Sequence, residues 1–223
     1  MRALAFDVFG TLVDWRSGIA AAFAGCGLAD PEGLADDWRA RYRPILDEVN
    51  RGTRPWADFD ELHRATLDAL LDERGLELAR AARGALVGAW HALDPWPDVP
   101  TGLEELRAGW VTATLSNGHV ALLVDLARHG RMRFDCVLSA ELVRAYKPRP
   151  EVYLTAARLL ALDPDELMLV ACHPWDLAGA RAAGLRTALL ERPLEYGPGS
   201  PARPDPQADV TVADLRELAA RLA

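Results

Sequence analysis

Two residues of this sequence combine a reactive side chain with an informative position. Asp7 lies at the end of a short apolar segment, where a carboxylate can act as a nucleophile. Lys147 is the single lysine among 25 basic residues, and all the others are arginines. A general preference for arginine could leave one lysine by chance. Alternatively, position 147 needs a compact ammonium group with an adjustable pKa, which a guanidinium group cannot provide.

Further polar residues follow other apolar segments. Ser116 and Asn117 come after one of them, and His173 and Asp176 come after another. Each residue has an ordinary structural explanation when it is taken alone, because Ser-Asn-Gly is typical of turns and Asp176 could cap a helix. Asp7 before a glycine could likewise stabilise a turn. Their functional interpretation therefore depends on whether the fold brings them together.

The apolar segments that precede these residues have the length and composition of buried strands. They alternate with segments of helical periodicity, which predicts a doubly wound, mostly parallel α/β sheet. The carboxyl ends of parallel strands form one edge, where ligands bind, so we expect the polar residues to meet there. The predicted strands are 3–8, 111–115, 135–138, 167–172, 186–190 and 209–212, and the predicted helices are 101–109, 119–130, 150–162, 175–184 and 213–222.

The stretch between the first two predicted strands breaks this alternation. It contains no convincing strand and shows helical spacing at 16–24, 34–50, 58–74 and 77–91. We therefore predict a Rossmann-like core domain of residues 1–13 and 96–223, with an all-helical domain of residues 14–95 inserted after the first strand. The segment 193–206 is rich in proline and glycine, and we expect an ordered or partly mobile loop there.

Composition limits the class of protein and of partner. Of the 223 residues, 50% are hydrophobic and 26% are charged, a balance typical of globular proteins. The formal net charge of -8 argues against a nucleic-acid surface, although small anions could bind to local positive charge. The three cysteines have no C-x-x-C spacing, so neither a disulfide framework nor a cysteine-rich zinc site is indicated. We expect no membrane association and a cytoplasmic location, because no apolar run suits a signal peptide or a membrane span.

The strand-end residues form motifs that resemble those of the haloacid dehalogenase (HAD) superfamily. The motifs are Asp7-Val-Phe-Gly-Thr11-Leu-Val-Asp, Ser116-Asn117-Gly, Lys147-Pro148 and the segment 173–176, and the resemblance covers nearly the whole chain. Within that superfamily, the inserted helices, Trp38-Arg39 and Tyr153 resemble type II 2-haloacid dehalogenases. The resemblance implies a HAD-like core with a helical cap domain.

The resemblance also implies covalent catalysis that needs no metal or other cofactor. Asp7 would displace halide from a short (S)-2-haloalkanoic acid, and water would hydrolyse the resulting ester to a 2-hydroxy acid. The implied partners are thus a small anionic halogenated acid and the halide product, and the resembling family commonly forms homodimers. The implied catalytic residues are Asp7, Lys147, Asp176, Arg39 and Thr11, and the implied substrate-binding residues are Ser116, Asn117, Tyr153, His173, Phe9 and Trp175.

Two departures from related patterns bear on the reaction. Phosphatases of the superfamily carry a second aspartate two residues after the nucleophile, and this chain has Phe9 there. Its fourth motif reads Ala-Cys-His173-Pro-Trp175-Asp176, whereas type II enzymes often have Ser-Ser-Asn-Ala-Trp-Asp. His173 could replace a lost hydrogen bond, help activate the hydrolytic water, or simply line the pocket.

Two other functions remain open at the level of sequence. A Mg²⁺-dependent phosphatase of the same fold is the main alternative, although Phe9 and the single acid of the fourth motif oppose it. A binding protein without catalysis is the other. The remaining histidines, His63, His91, His119 and His129, lack metal-ligand spacing, so we expect surface or packing roles for them.

Overall fold

The computed structural model describes residues 1–223 and contains one six-stranded sheet. All neighbouring strands are parallel, and their order is β3-β2-β1-β4-β5-β6. The doubly wound α/β fold predicted from the sequence is confirmed, and each predicted strand is present to within two residues. The strands are β1 (Ala3–Phe6), β2 (Val111–Ser116), β3 (Cys136–Ser139), β4 (Leu167–Ala171), β5 (Arg186–Leu190) and β6 (Val210–Val212).

The central strand β1 determines where the site lies. All four of its residues are buried, because helices cover both faces of the sheet and β2 and β4 cover its two edges. Phe6, the last residue of β1, pairs with Thr114 on one side and with Val170 on the other. The strand order reverses beside β1, so the next residue, Asp7, lies at the point where open α/β sheets bind ligands.

Helices cover the sheet, and the segment between β1 and β2 contains six of the ten α-helices and no strand. Short 3-10 turns occur at Trp90–Ala92, Ala140–Val143 and Pro164–Glu166. The helices are α1 (Trp15–Gly25), α2 (Pro31–Ala40), α3 (Tyr42–Asn50), α4 (Phe59–Arg74), α5 (Arg80–Ala89), α6 (Val99–Arg107), α7 (Val120–His129), α8 (Pro150–Leu159), α9 (Pro174–Ala182) and α10 (Leu215–Leu222).

The single helical stretch expected over 34–50 is wrong, since α2 and α3 are separate helices that meet at Arg41. The break has a covalent cause: Pro44 has no N–H to donate to the carbonyl of Ala40, so this bond of the α-helical ladder is missing. The N–H of Arg41 instead bonds the carbonyl of Trp38 in a tighter turn. This break lets Arg39 and Tyr42 belong to different helices.

Helices α1 to α5 lie within residues 14–95, and the division into a core domain and a cap domain remains a proposal. These helices share one cluster of 57 buried hydrophobic residues with the sheet. Aromatic side chains join the two parts, since Phe9 after β1 contacts Phe59 of α4 and Trp90. None of the helices combines the length and apolarity needed to cross a lipid bilayer.

Candidate active site

Asp7 is the centre of a buried polar cluster at the carboxyl edge of the sheet. Its Oδ2 accepts a 2.7 Å hydrogen bond from Thr11 Oγ1 and lies 3.1 Å from His173 Nδ1. Its Oδ1 contacts Lys147 Nζ at 3.3 Å. Burial alone would raise the pKa of Asp7, but Lys147, His173 and Thr11 together hold it well below its ordinary value. The carboxylate is therefore ionised at neutral pH.

The ammonium group of Lys147 lies between two carboxylates. It is fully buried and donates to Asp176 Oδ2 at 2.6 Å as well as to Asp7. Burial alone would lower the pKa of Lys147, yet the charges of Asp176 and Asp7 raise it. Tyr153 completes the arrangement by donating to Asp176 Oδ1 at 2.7 Å. Lys147 is thus a fixed cation that balances the charge of the buried aspartates.

A chain of hydrogen bonds connects Lys147 to the inserted helices. The backbone N–H of Lys147 donates to Asn117 Oδ1 at 2.8 Å, and Asn117 Nδ2 donates to the hydroxyl of Tyr42 at 2.8 Å. Tyr42 begins α3, so this chain links three separate segments. Asn117 therefore aligns the lysine segment with the inserted helices.

The other side of Asp7 is occupied by a histidine and a glutamate. His173 Nδ1 faces Asp7, and its Nε2 lies 2.9 Å from Glu195 Oε1. Burial alone would lower the pKa of His173, but Cys172, Glu195 and the hydrogen bond to Asp7 raise it well above its ordinary value. Similarly, burial would raise the pKa of Glu195, whereas His173, Arg39 and Arg203 lower it to about 2. Asp7 and Glu195 are thus negatively charged, and the positively charged His173 lies between them.

Glu195 reaches this position because Gly10 leaves space for it. Gly10 has a φ of +84°, a conformation that favours glycine, and it lies in the turn that follows Asp7. A Cβ atom added there would lie 2.2 Å from Glu195 Oε1. Glu195 is fully buried and also accepts from Trp15 Nε1 at 3.2 Å and from Arg203 Nη2 at 2.5 Å. The loop 193–206 is therefore anchored at this point.

Arg39 supplies positive charge from the inserted helices. Its guanidinium carbon lies 4.0 Å from the ring centre of Tyr42 and 5.2 Å from that of Trp15. Burial alone would lower the pKa of Arg39, but the charges of nearby groups, Glu195 and Asp7 among them, raise it. Its Nη1 is buried and has no hydrogen-bond partner in the protein. A buried donor of this kind is suited to an anionic ligand.

Phe9 provides a purely apolar wall beside Asp7. It is 2% exposed, stacks on Phe59 at 5.5 Å and meets the edge of Trp90 at 5.8 Å between ring centres. A carboxylate at this position would lose solvation among aromatic rings. The position therefore contributes no proton donor for a leaving group.

Three expected substrate-binding residues occupy supporting positions. Ser116 is fully buried, and its Oγ accepts from the N–H of Gly118 at 3.2 Å. Tyr153 contacts Asp176, and Trp175 stacks on His173 with 5.7 Å between ring centres. The structure gives none of these three a hydrogen bond to Asp7, so their binding of substrate stays a prediction.

The groups around Asp7 are not the ligands that Mg²⁺ requires. This ion needs a nearly octahedral set of oxygen ligands. Here Lys147 Nζ occupies the space between the oxygens of Asp7 and Asp176, and His173 faces the other oxygen of Asp7. These contacts therefore do not support a Mg²⁺-dependent phosphatase.

Several residues of this cluster were not predicted from the sequence, among them Trp15, Tyr42 and Glu195. Glu195 lies in the proline-rich loop, where no periodicity indicates which side chains point inward. Tyr42 and Trp15 are aromatic residues that resemble ordinary core positions by sequence. One available signal was that Glu195 is the only glutamate of the segment 193–206.

Known proteins are similar to this chain in sequence and in fold. Residues 1–184 match the family model described as haloacid dehalogenase-like hydrolase. Among curated proteins, (S)-2-haloacid dehalogenase 1 of Pseudomonas sp. (strain CBS-3) is 34% identical over 88% of this chain and 88% of its own length.

Solved structures extend the similarity to the whole chain. The L-2-haloacid dehalogenase PA0810 is 46% identical with a TM-score of 0.95, covering 100% of this chain and 98% of its own. The defluorinating L-2-haloacid dehalogenase Rha0230 is 40% identical with a TM-score of 0.96, covering 100% and 95%. The L-2-haloacid dehalogenase from Xanthobacter autotrophicus with chloropropionic acid covalently bound is 26% identical with a TM-score of 0.87, covering 100% and 98%. This chain belongs to the haloacid dehalogenase-like hydrolase family.

Proposed function

We propose that this protein is a 2-haloacid dehalogenase, a hydrolase that converts short (S)-2-haloalkanoic acids to 2-hydroxy acids and halide, with Asp7 as its covalent nucleophile. The observation that carries the proposal is the arrangement of the Asp7 carboxylate. Oδ2 is held by Thr11 and His173, whereas Oδ1 has one hydrogen-bond contact, the 3.3 Å approach of Lys147 Nζ. An ionised carboxylate oxygen with a free lone pair is the group that displacement of halide requires.

In the first step, Oδ1 of Asp7 attacks C2 of the substrate. The new bond joins this oxygen to C2, and the carbon–halogen bond breaks with its electron pair leaving on the halide. Halide leaves without protonation, which agrees with the apolar Phe9 beside the nucleophile. Arg39 supports this step because its unpartnered Nη1 can donate to the substrate carboxylate or to the departing halide.

In the second step, water hydrolyses the Asp7 ester. Esterification removes the negative charge of Asp7, so His173 loses one of the two carboxylates that stabilise its protonated form. Neutral His173, oriented by Glu195, accepts a proton as water attacks Cγ of Asp7, and it then returns this proton to the departing alkoxide oxygen. The remaining proton of the Asp7 carboxyl group passes to His173 and restores the starting charges, so the one proton released to solvent is the proton that His173 lost before hydrolysis.

This order of steps fixes the origin of the oxygen atoms. The product hydroxyl oxygen comes from Asp7, and the oxygen of water enters the Asp7 carboxylate. The configuration at C2 is inverted, because Asp7 displaces the halide from the opposite side of this carbon and the second step does not touch it. No step involves a metal or another cofactor.

The test measures halide released from chloroacetate, (S)- and (R)-2-chloropropionate, bromoacetate and fluoroacetate, with and without a chelator. We expect release that persists in the chelator, and we expect Asp7→Asn to lower it by about 10⁴-fold. Single turnover in ¹⁸O-labelled water should place the label in the peptide that contains Asp7. Failure to release halide from every substrate would refute the function, whereas label found first in the product would refute only the covalent route.

A further inference from the structure

A second cluster of ligand-type side chains lies apart from the contacts of Asp7. It consists of Asp60 in the first turn of α4, His91 in the 3-10 turn Trp90–Ala92, and His119, the residue immediately before α7. One carboxylate oxygen and one ring nitrogen from each histidine lie within 4.8 Å of one another. Asp60 and His91 belong to the inserted helical segment, and His119 belongs to the sheet-containing part. The cluster therefore bridges the two.

His91 is oriented as a metal-binding histidine usually is. Its Nδ1 lies 2.8 Å from Asp125 Oδ2, which favours the tautomer with the proton on Nδ1. Its Nε2 lies 3.0 Å from Asp60 Oδ1. A carboxylate behind the imidazole is the common outer partner of a metal-bound histidine, because it fixes the tautomer and strengthens the ligand nitrogen.

A simple ion pair does not explain the position of the His119 imidazole. Its Nε2 lies 4.0 Å from Asp60 Oδ2, beyond hydrogen-bond distance, and its ring centre is 5.6 Å from that of His91. Its Nδ1 is buried and has no hydrogen-bond partner. The side chain is 11% exposed, so it directs an imidazole toward a carboxylate without forming a bond to it.

We propose that Asp60, His91 and His119 bind a divalent transition-metal ion, best represented by Zn²⁺. Two imidazole nitrogens and a carboxylate oxygen are ligands that zinc accepts, with water as a fourth ligand. Zinc–ligand bonds of about 2.0–2.1 Å place tetrahedral ligands about 3.3 Å apart. Asp60 Oδ2 lies 3.1 Å from His91 Nε2 and 4.0 Å from His119 Nε2, and these separations bracket that value. Asp60 is 39% exposed, which gives the ion access from solvent.

Such an ion would connect α4 and the 3-10 turn to the start of α7. This connection is independent of the reaction at Asp7, and the site can be tested without measuring dehalogenation. Because a metal that binds only the folded chain stabilises it, zinc should raise the resistance of the protein to unfolding.

The experiment starts from full-length protein freed of metal with a chelator and then dialysed. Calorimetric titration with Zn²⁺ should show one saturable site, and the thermal midpoint should rise by about 5 °C with excess zinc. His119→Gln and Asp60→Asn should each weaken binding by about 100-fold, and Asp125→Asn by about 10- to 100-fold. Circular dichroism and the thermal midpoint without zinc verify that each variant is folded.

His129→Gln is the matched control. His129 is the last residue of α7, the helix that His119 precedes, and its Nε2 contacts one carboxylate, Asp94, at 2.9 Å, without a second imidazole. We expect this variant to bind zinc like the unmodified chain. Equal binding by His119→Gln and His129→Gln would overturn the proposal, as would the absence of a saturable site.

Cobalt substitution distinguishes the proposed site from Cys172, His173 and Glu195, whose ligand-type atoms also lie close together. Co²⁺ at Asp60, His91 and His119 has no sulfur ligand, so its spectrum should lack a thiolate-to-cobalt charge-transfer band. A single bound Co²⁺ that shows this band would place the metal at Cys172 and overturn the proposal.

Discussion

His173 and Glu195 are joined by a 2.9 Å contact between Nε2 and Oε1, although 22 positions separate them in the sequence. The contact brings a loop of irregular structure into the cluster around Asp7. It also gives the site an imidazole with carboxylates on both of its nitrogens. The proposed hydrolysis of the ester depends on how readily this imidazole loses its proton.

Glu195→Gln should change the pH dependence of ester hydrolysis. The negative charge of Glu195 raises the pKa of His173, and hydrolysis needs neutral His173, so the rate should fall as the pH falls. A neutral amide removes this charge, and the acid limb should move to lower pH by about 1–2 units. Rapid-quench measurement of the ester between pH 5 and 9 provides the profile.

Asp205→Asn is a suitable control for that experiment. Asp205 is a buried acid of the same loop, but it pairs with Arg181 at 2.7 Å instead of with His173. Its profile should match that of the unmodified enzyme. An unshifted acid limb in Glu195→Gln would exclude His173 as the group that controls hydrolysis.

Arg39→Met should separate activity from stability. The buried Nη1 of Arg39 has no partner in the protein, so the folded chain gains little from this atom. We expect kcat/KM to fall by about 10²–10³-fold, because a donor to the substrate anion is lost. The free energy of unfolding should stay the same or rise by about 1 kcal/mol. Steady-state kinetics and urea unfolding measure the two effects.

Arg41→Met serves for comparison, since Arg41 pairs with the exposed Glu73 at the surface. It should change kcat/KM by less than about twofold. If Arg39→Met destabilised the fold strongly while its kinetics stayed normal, Arg39 would be a structural residue.

Lys147→Met should destabilise the fold in addition to abolishing activity. It leaves Asp7 and Asp176 as buried carboxylates without their shared cation, and breaking a buried pair in this way costs about 3–5 kcal/mol. Lys147→Met combined with Asp176→Asn should recover part of that loss, because one of the unpaired charges is removed. Urea unfolding at pH 7 tests both variants, and a double variant no more stable than the single one would contradict the pairing.

Stability should decline in acid because of Glu195. Its pKa is about 2 in the folded chain, below the ordinary 4.5, so its contribution is present above pH 4.5 and is lost as the pH falls toward 2. The loss for this group is roughly 3 kcal/mol. Asp7, whose pKa is also lowered, acts in the same direction. Glu195→Gln should therefore show a shallower fall of the unfolding free energy between pH 5 and 3, and an identical slope would contradict the assignment.

The sequence predicted the sheet and the strand-end residues because both depend on local patterns. Buried parallel strands produce short apolar runs, and the residue after each run must lie at the carboxyl edge, which is how Asp7 and Asn117 could be placed together. The helical pattern did not predict the break between α2 and α3, although Pro44 indicates a break at this point. Here the helical periodicity on both sides of Arg41 outweighed one proline.

Contacts between distant segments could not be predicted in this way. Glu195 lies in a loop without periodicity, and Asp60, His91 and His119 are too far apart in sequence for a metal-ligand spacing to be recognised. Their positions depend on how the inserted helices and the loops pack against the sheet. Only the folded chain shows these contacts.

Gly10 limits which substitutions this part of the protein can accept. Its positive φ and the 2.2 Å approach that an added Cβ would make to Glu195 tie the turn after Asp7 to a loop far along the chain. A side chain at position 10 would force Glu195 away from His173, whereas loss of Glu195 would remove the spatial reason for the glycine and leave the backbone reason. Glu195 in the loop must therefore be substituted before Gly10 in the turn can be.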